Sequence, residues 1–182
     1  MSEKVSSFVN VSLGRSRYVF YFVTWNDFVT PIRDQLEKQL DPFGEALGEA
    51  GTIVQAFRSM SRHTFEQVLA KQWDAELKEQ LRSDPDPFLL VIDQDFASFS
   101  PGLHKWGIVR LSSFQDKPDS IYRLLAALAQ KVQLREDIFE YLRKVARKTK
   151  ASRVNRYLEI KPGVFGVKLD ISAILEDVAL KL

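Results

Sequence analysis

The chain has 182 residues, 45% of them apolar and 27% charged, with a formal net charge of +2. That length and balance exclude a disordered chain, and no apolar run reaches the roughly 18 residues that a membrane span needs. The absence of cysteine excludes disulfides, thiolate metal sites, iron–sulfur clusters and thiol catalysis.

Residues Val5–Leu13 alternate, with Val9, Val11 and Leu13 on one face, and read as an edge strand. Gly14-Arg-Ser is a turn, and so short a link predicts a hairpin with Tyr18–Val23. That second run is apolar on both faces and rich in aromatic and β-branched residues, as a central strand buried on two sides should be. Thr30 as N-cap and Pro31 at the first position open a helix whose stripe is Ile32, Leu36, Leu40, Phe43 and Leu47. Pro42 is expected to kink or split it after Leu40. Gly51 ends the helix, and Thr52–Phe57 forms another buried strand.

Thr64 to Gln67 fits a capping box for a helix carrying Phe65, Leu69, Trp73, Leu77 and Leu81. The prolines at 85 and 87 end it, and Phe88–Ile92 and Trp106–Leu111 read as a hairpin over 88–111. From Pro118 a long helical region carries two apolar stripes, whose phase slips around Gln133–Glu136 and predicts a break there. Tyr157–Ile160 and Val164–Leu169 flank Lys161-Pro-Gly as a further hairpin, and Ile171–Leu182 reads as a short amphipathic helix.

Alternating strands and helices predict an α/β chain with a mostly parallel central sheet, helices on both faces, an added N-terminal edge strand and a C-terminal helix–hairpin–helix extension. One domain is expected over 1–182, with its core at about 5–132 and the extension at 133–182. From Tyr18 to Val132 the order strand, helix, strand, helix, strand, strand, helix resembles the thioredoxin-like fold. An aromatic strand runs into Thr24-Trp-Asn-Asp-Phe28, where that family has its tryptophan and cysteine motif ahead of a helix. Pro87 stands directly before a buried strand, as the family's cis-proline does. Both cysteines are missing, so the dithiol exchange that the resemblance implies is impossible here. A flavodoxin-like sheet fits the same element order.

Leu89–Asp95 ends a buried strand in Asp93-Gln-Asp95, and two carboxylates at the end of an α/β strand can hold Mg²⁺ over a phosphate. Asp27 is a candidate third ligand if the strands are neighbours. The other reading of these acids is a bending strand with solvated carboxylates. Trp25, Phe28, Phe96, Phe99 and Trp106 gather at strand ends and the long hairpin, with His104 at its tip. Facing solvent they would bind another protein; folded inward they would form a satellite core beneath the loop.

The charge is uneven. Arg143, Lys144, Arg147, Lys148, Lys150, Arg153 and Arg156 lie in one stretch without an acid, while residues 1–142 carry −4. Such a stretch is either a low-specificity nucleic-acid footprint or a solvated helix end whose cations offset the dipole. The leading expectation is a non-enzymatic module that binds another protein and needs no cofactor. An Mg²⁺-dependent phosphoryl-transfer or hydrolytic enzyme using Asp93 and Asp95, or nucleic-acid binding through 143–156, are the alternatives. The N-terminus lacks the apolar core of a signal peptide, and the expected location is the cytoplasm.

Overall fold

A computed structural model describes residues 2–12, 14–25, 31–83, 87–111, 118–151 and 166–169. Within them lie the strands β1 (Ser2–Val5), β2 (Tyr18–Val23), β3 (Gly51–Ala56), β4 (Phe88–Ile92), β5 (Trp106–Arg110) and β6 (Gly166–Leu169). The helices are α1 (Pro31–Leu47), α2 (Ser61–Leu69), α3 (Ala75–Ser83), α4 (Pro118–Gln133) and α5 (Ile138–Ala151). The strands form one sheet in the order β1-β3-β2-β4-β5-β6. None of the described helices is long and apolar enough to cross a membrane.

The sheet is mixed, which corrects the expectation of a mostly parallel one. β1 and β2 both run parallel to β3, and β6 runs parallel to β5, but β2/β4 and β4/β5 are antiparallel. A fully buried strand has the same apolar run in either direction, so composition could not reveal this. The antiparallel pairs exclude a flavodoxin-like sheet, whose strands run parallel.

The N-terminal hairpin is also corrected. No strand runs over 6–12: the first strand is Ser2–Val5, ending where the alternation begins; it stands at the sheet's edge and pairs with β3 rather than β2. Residues 6–12 cross one face of the sheet, where a turn of 3₁₀ helix at Phe8–Asn10 buries Phe8 and Val11 and leaves Val9 outside. Gln67 fixes this crossing: its Oε1 accepts the Phe8 amide at 2.9 Å and its Nε2 donates to Ser7 Oγ at 2.6 Å.

Each face of the sheet carries one apolar layer. Tyr18, Phe20, Phe22, Ile53, Leu89, Val91 and Val109 meet α1, α4 and the start of α5. Val19, Tyr21, Val23, Val54, Leu90, Ile92 and Ile108 meet Phe8, α2, α3 and the 93–105 loop. Helices therefore cover both faces, as expected. Ile138, Phe139 and Leu142 share the first layer, which builds this part of the 133–182 extension into the same core.

Pro42 does not split α1, because Leu40, Phe43 and Leu47 on either side of it are held by the sheet while its own ring is exposed. The helix ends at Gly48, whose φ of +58° suits glycine. Gln133 of α4 closes it by donating to the carbonyls of Ala46 and Leu47 at 2.9 and 3.0 Å. No capping box forms at Thr64, because α2 begins three residues earlier and the Thr64 hydroxyl donates back to the Met60 and Ser61 carbonyls. The single helix expected to Leu81 is two, and α3 restarts where Asp74 Oδ1 accepts the Leu77 amide at 2.9 Å. The break between α4 and α5 falls where the phase slip put it. Thr30, the 157–165 part of the last hairpin and Ile171–Leu182 lie outside the described residues.

Candidate functional site

Asp93 follows β4 at the sheet margin where β2 and β5 begin. It faces Lys105, His104 and Asp137 electrostatically, and burial raises its carboxyl above the ordinary range. Its neighbours are committed to fastening this end of the fold. Lys105 Nζ reaches Asp137 Oδ2 at 2.8 Å, and Asp137 Oδ1 caps α5 by accepting the Phe139 and Glu140 amides at 2.9 and 3.2 Å. Burial works to raise the Asp137 carboxyl, but the Lys105 ammonium and the helix amides outweigh it and hold the group low. Asp95 opens a turn, its carbonyl accepting the Ser98 and Phe99 amides at 3.1 and 3.0 Å. His104 closes the next turn through Nδ1, which accepts the Ser100 amide at 3.0 Å.

Asp27 lies outside the described residues, but the strand leading to it leaves the sheet at the opposite margin. The antiparallel register sets Val19 beside Ile92 and Val23 beside Phe88. β2 thus carries the chain about 13 Å away from Asp93, at ~3.3 Å per residue. Among the described residues no group of three or more His, Asp or Glu side chains could hold a metal ion.

The hairpin aromatics turn inward, a correction to the surface reading. Phe96 is 0% exposed, between the rings of Phe8 and Tyr21 at 5.7 and 5.4 Å. Trp73 lies against Phe99 at 5.8 Å and Trp106 at 5.0 Å, and Trp106 Nε1 donates to the Pro101 carbonyl. An irregular loop has no period from which to assign faces, and this one folds over the sheet as a lid of core. Lys71 caps it, its ammonium 4.6 Å from the Phe96 ring centre and bonded to the Phe96 and Ala97 carbonyls. Phe28 lies outside the described residues.

In the basic stretch, Arg143 is half-buried and the exposed Lys144 pairs with Glu140 at 3.0 Å. Arg147, Lys148 and Lys150 lie on α5 with side chains outside the description, and Arg153 and Arg156 lie outside the described residues.

A different constellation forms at the other sheet margin, where β1, β3 and β2 end. Arg33 of α1 is only 3% exposed, yet it lies on the helix stripe ahead of Leu36 and Leu40. Its Nε donates to Glu37 Oε1 at 2.7 Å and its NH2 to Ser61 Oγ at 3.1 Å. Arg58, just past β3, donates to Glu37 Oε2 and Asp34 Oδ1 at 2.6 and 2.9 Å. Burial works to raise the Glu37 carboxyl, but the two guanidinium groups outweigh it and hold the group below the ordinary range. This network wraps the end of β3 and ties α1 on one face to α2 on the other.

Beside it stands Trp25, half-buried, with Phe65 edge-on at 4.8 Å and the Arg62 guanidinium 5.8 Å from its ring centre. Phe57 is 48% exposed. β2 and β3 run parallel, their last paired residues being Phe22 and Gln55, so Trp25 and Phe57 leave the sheet at the same margin. Trp25 was legible as a candidate; Phe57, Met60 and Arg62 were missed, because Phe57 reads as the last residue of a buried strand. Such margins, at the carboxyl ends of parallel strands, are where α/β folds place ligand sites.

No protein-family model, curated protein or solved structure matches this chain.

Proposed function

We propose that the chain is a non-enzymatic protein-interaction module with a redox-inactive, thioredoxin-like core, and that it binds its partner at the margin formed by Trp25, Phe57, Met60 and Arg62. Two parallel crossovers followed by an antiparallel strand, a hairpin and a helix support the thioredoxin-like reading. The segment ahead of α1, where that family carries its dithiol, holds Trp25, Asn26, Asp27 and Phe28.

The observation that carries the binding reading is the composition of that margin. Tryptophan, phenylalanine, methionine and arginine are the residues enriched at the centres of protein interfaces. Here Phe57 stands 48% exposed at the end of β3, and at the same margin the Trp25 ring is held edge-on by Phe65.

The test is site-specific photo-crosslinking in the native host. A benzophenone side chain replaces Phe57 in one variant and, as control, Leu103 in another; Leu103 is 74% exposed in the loop at the opposite margin. A discrete adduct from position 57, lost on adding Trp25→Ala and absent from position 103, is the expected result. Equal adducts from both positions, or none from 57, would overturn the proposal.

A further inference from the structure

We infer that the two histidines fasten the irregular cover on one face of the sheet through hydrogen bonds that acid undoes. The cover has two parts, residues 6–12 and the 93–105 loop, which meet where the Phe8 and Phe96 rings stand 5.7 Å apart over Tyr21. His63 and His104 are the chain's only histidines. Each serves one part through a ring nitrogen that accepts a hydrogen bond: His63 by way of Gln67, and His104 within the loop itself.

The donors decide which nitrogen is bare. Gln67 Oε1 accepts the Phe8 amide, which fixes the orientation of the side-chain amide and makes Nε2 a donor only. Nε2 gives one hydrogen to Ser7 Oγ at 2.6 Å and the other to His63 Nε2 at 3.0 Å. His63 therefore carries its proton on Nδ1. In the loop the donor is the backbone N–H of Ser100, which meets His104 Nδ1 at 3.0 Å, so His104 carries its proton on Nε2. A second proton ends both contacts, because an imidazolium has two donors and no acceptor. Histidine takes up that proton between about pH 8 and 5.

The surrounding charges do not replace what is lost. Around His63 they are Arg62 and Glu66 on its own helix and Arg58 ahead of it, which is bound to Glu37 and Asp34. Residues 6–12 carry no charged side chain, and on this face β2 offers only the buried Tyr21 phenol. His104 faces Asp93, while its neighbour Lys105 is bound to Asp137, and Lys71 to the Phe96 and Ala97 carbonyls. Protonation of His104 thus trades the bond that closes the Ser100 turn for attraction to Asp93.

The experiment uses the full chain, labelled for NMR. At about pH 7.5 the ring signals should place the proton on Nδ1 of His63 and on Nε2 of His104. Amide exchange, corrected for its intrinsic dependence on pH, is then compared at about pH 7.5 and 5.5. Opening at Phe8 and at Ser100 should rise about three- to tenfold in acid, the scale of one hydrogen bond, with Leu90 of β4 as an unchanged reference. His63→Gln and His104→Asn each keep an acceptor that does not titrate. The first should abolish the rise at Phe8 alone, and the second the rise at Ser100 alone. The opposite tautomer at either ring, no rise in the wild-type chain, or a rise that persists in the matching variant would overturn the inference.

Discussion

Replacing Glu37 by glutamine tests the network that holds the margin together. The change keeps the shape and one acceptor oxygen but removes the charge beside Arg33, which is 3% exposed and 2.7 Å from the carboxylate. It also sets an amide N–H₂ toward Arg58, which now finds a donor where it had an oxygen. Breaking a fully buried ion pair from one side costs about 3–5 kcal/mol. Glu37 keeps some solvent, its side chain being 19% exposed, and Arg33 keeps Ser61, so about 2–3 kcal/mol is expected. For a chain of this size that lowers Tm by roughly 4–12 °C.

Arg58→Gln should cost below ~1 kcal/mol, because that guanidinium is 46% exposed. Arg33→Met with Glu37→Met should recover most of the loss, since apolar side chains of similar volume can replace a buried pair. The pH dependence follows from the sign. Glu37 has a folded-state pKa below its unfolded one, so its contribution is present above the unfolded value and is lost as pH falls through the folded one. Urea unfolding at neutral pH and near pH 4 should show the gap between wild type and variant narrowing in acid. A Glu37→Gln chain within about 1 kcal/mol of wild type at neutral pH, no more than a surface pair contributes, would refute the reasoning.

Asp93 has the opposite sign: burial raises its folded-state pKa, so its ionised form opposes folding at neutral pH, and Asp93→Asn should unfold at higher urea there, with the advantage fading on acidification. A variant less stable than wild type at neutral pH would contradict this. Phe96→Ala should cost about 3–5 kcal/mol by denaturant titration, as removal of a fully buried ring does, whereas an exposed aromatic would change stability by less than about 0.5 kcal/mol. For the basic stretch on α5, a low-salt gel-shift series should show no DNA or RNA binding tighter than about 10⁻⁴ M, and a steeply salt-dependent shift at lower concentration would reverse that expectation.

The elements that burial dominates were the legible ones. Tyr18–Val23 and Phe88–Ile92 are apolar on both faces and are strands at those bounds. The slip after Gln133 marked the joint before α5 because two stripes of different phase cannot share one straight helix. Strand direction was not legible, since Phe88–Ile92 reads the same whichever way it runs. Nor was the segment after β1, where Phe8 and Val11 are buried three residues apart while Val9 is exposed. That is a helical spacing over too few residues to outweigh an apparent alternation. Arg33 did leave a signal: it stands on the buried stripe of α1 with Glu37 one turn on, the spacing of a helix ion pair. Arg62 left none, because its pairing with Trp25 joins residues that only the fold brings together.

The direction in which β1 pairs also bears on self-association. Within a strand, the amide and carbonyl of one residue point to the same side, and successive residues alternate. The Val5 carbonyl accepts the Phe57 amide at 2.9 Å, so Glu3 and Val5 turn toward β3, and Ser2 and Lys4 present their backbone groups outward. A second copy docking antiparallel along this line has two registers that use Lys4. One sets Lys4 against Lys4; the other sets Ser2 against Lys4 and so Glu3 against Glu3. Like charges directly opposite are unfavourable in either case. The charges of β1 therefore oppose the antiparallel pairing of two copies along this edge, a repulsion that a foreign strand bringing the opposite charges would not meet.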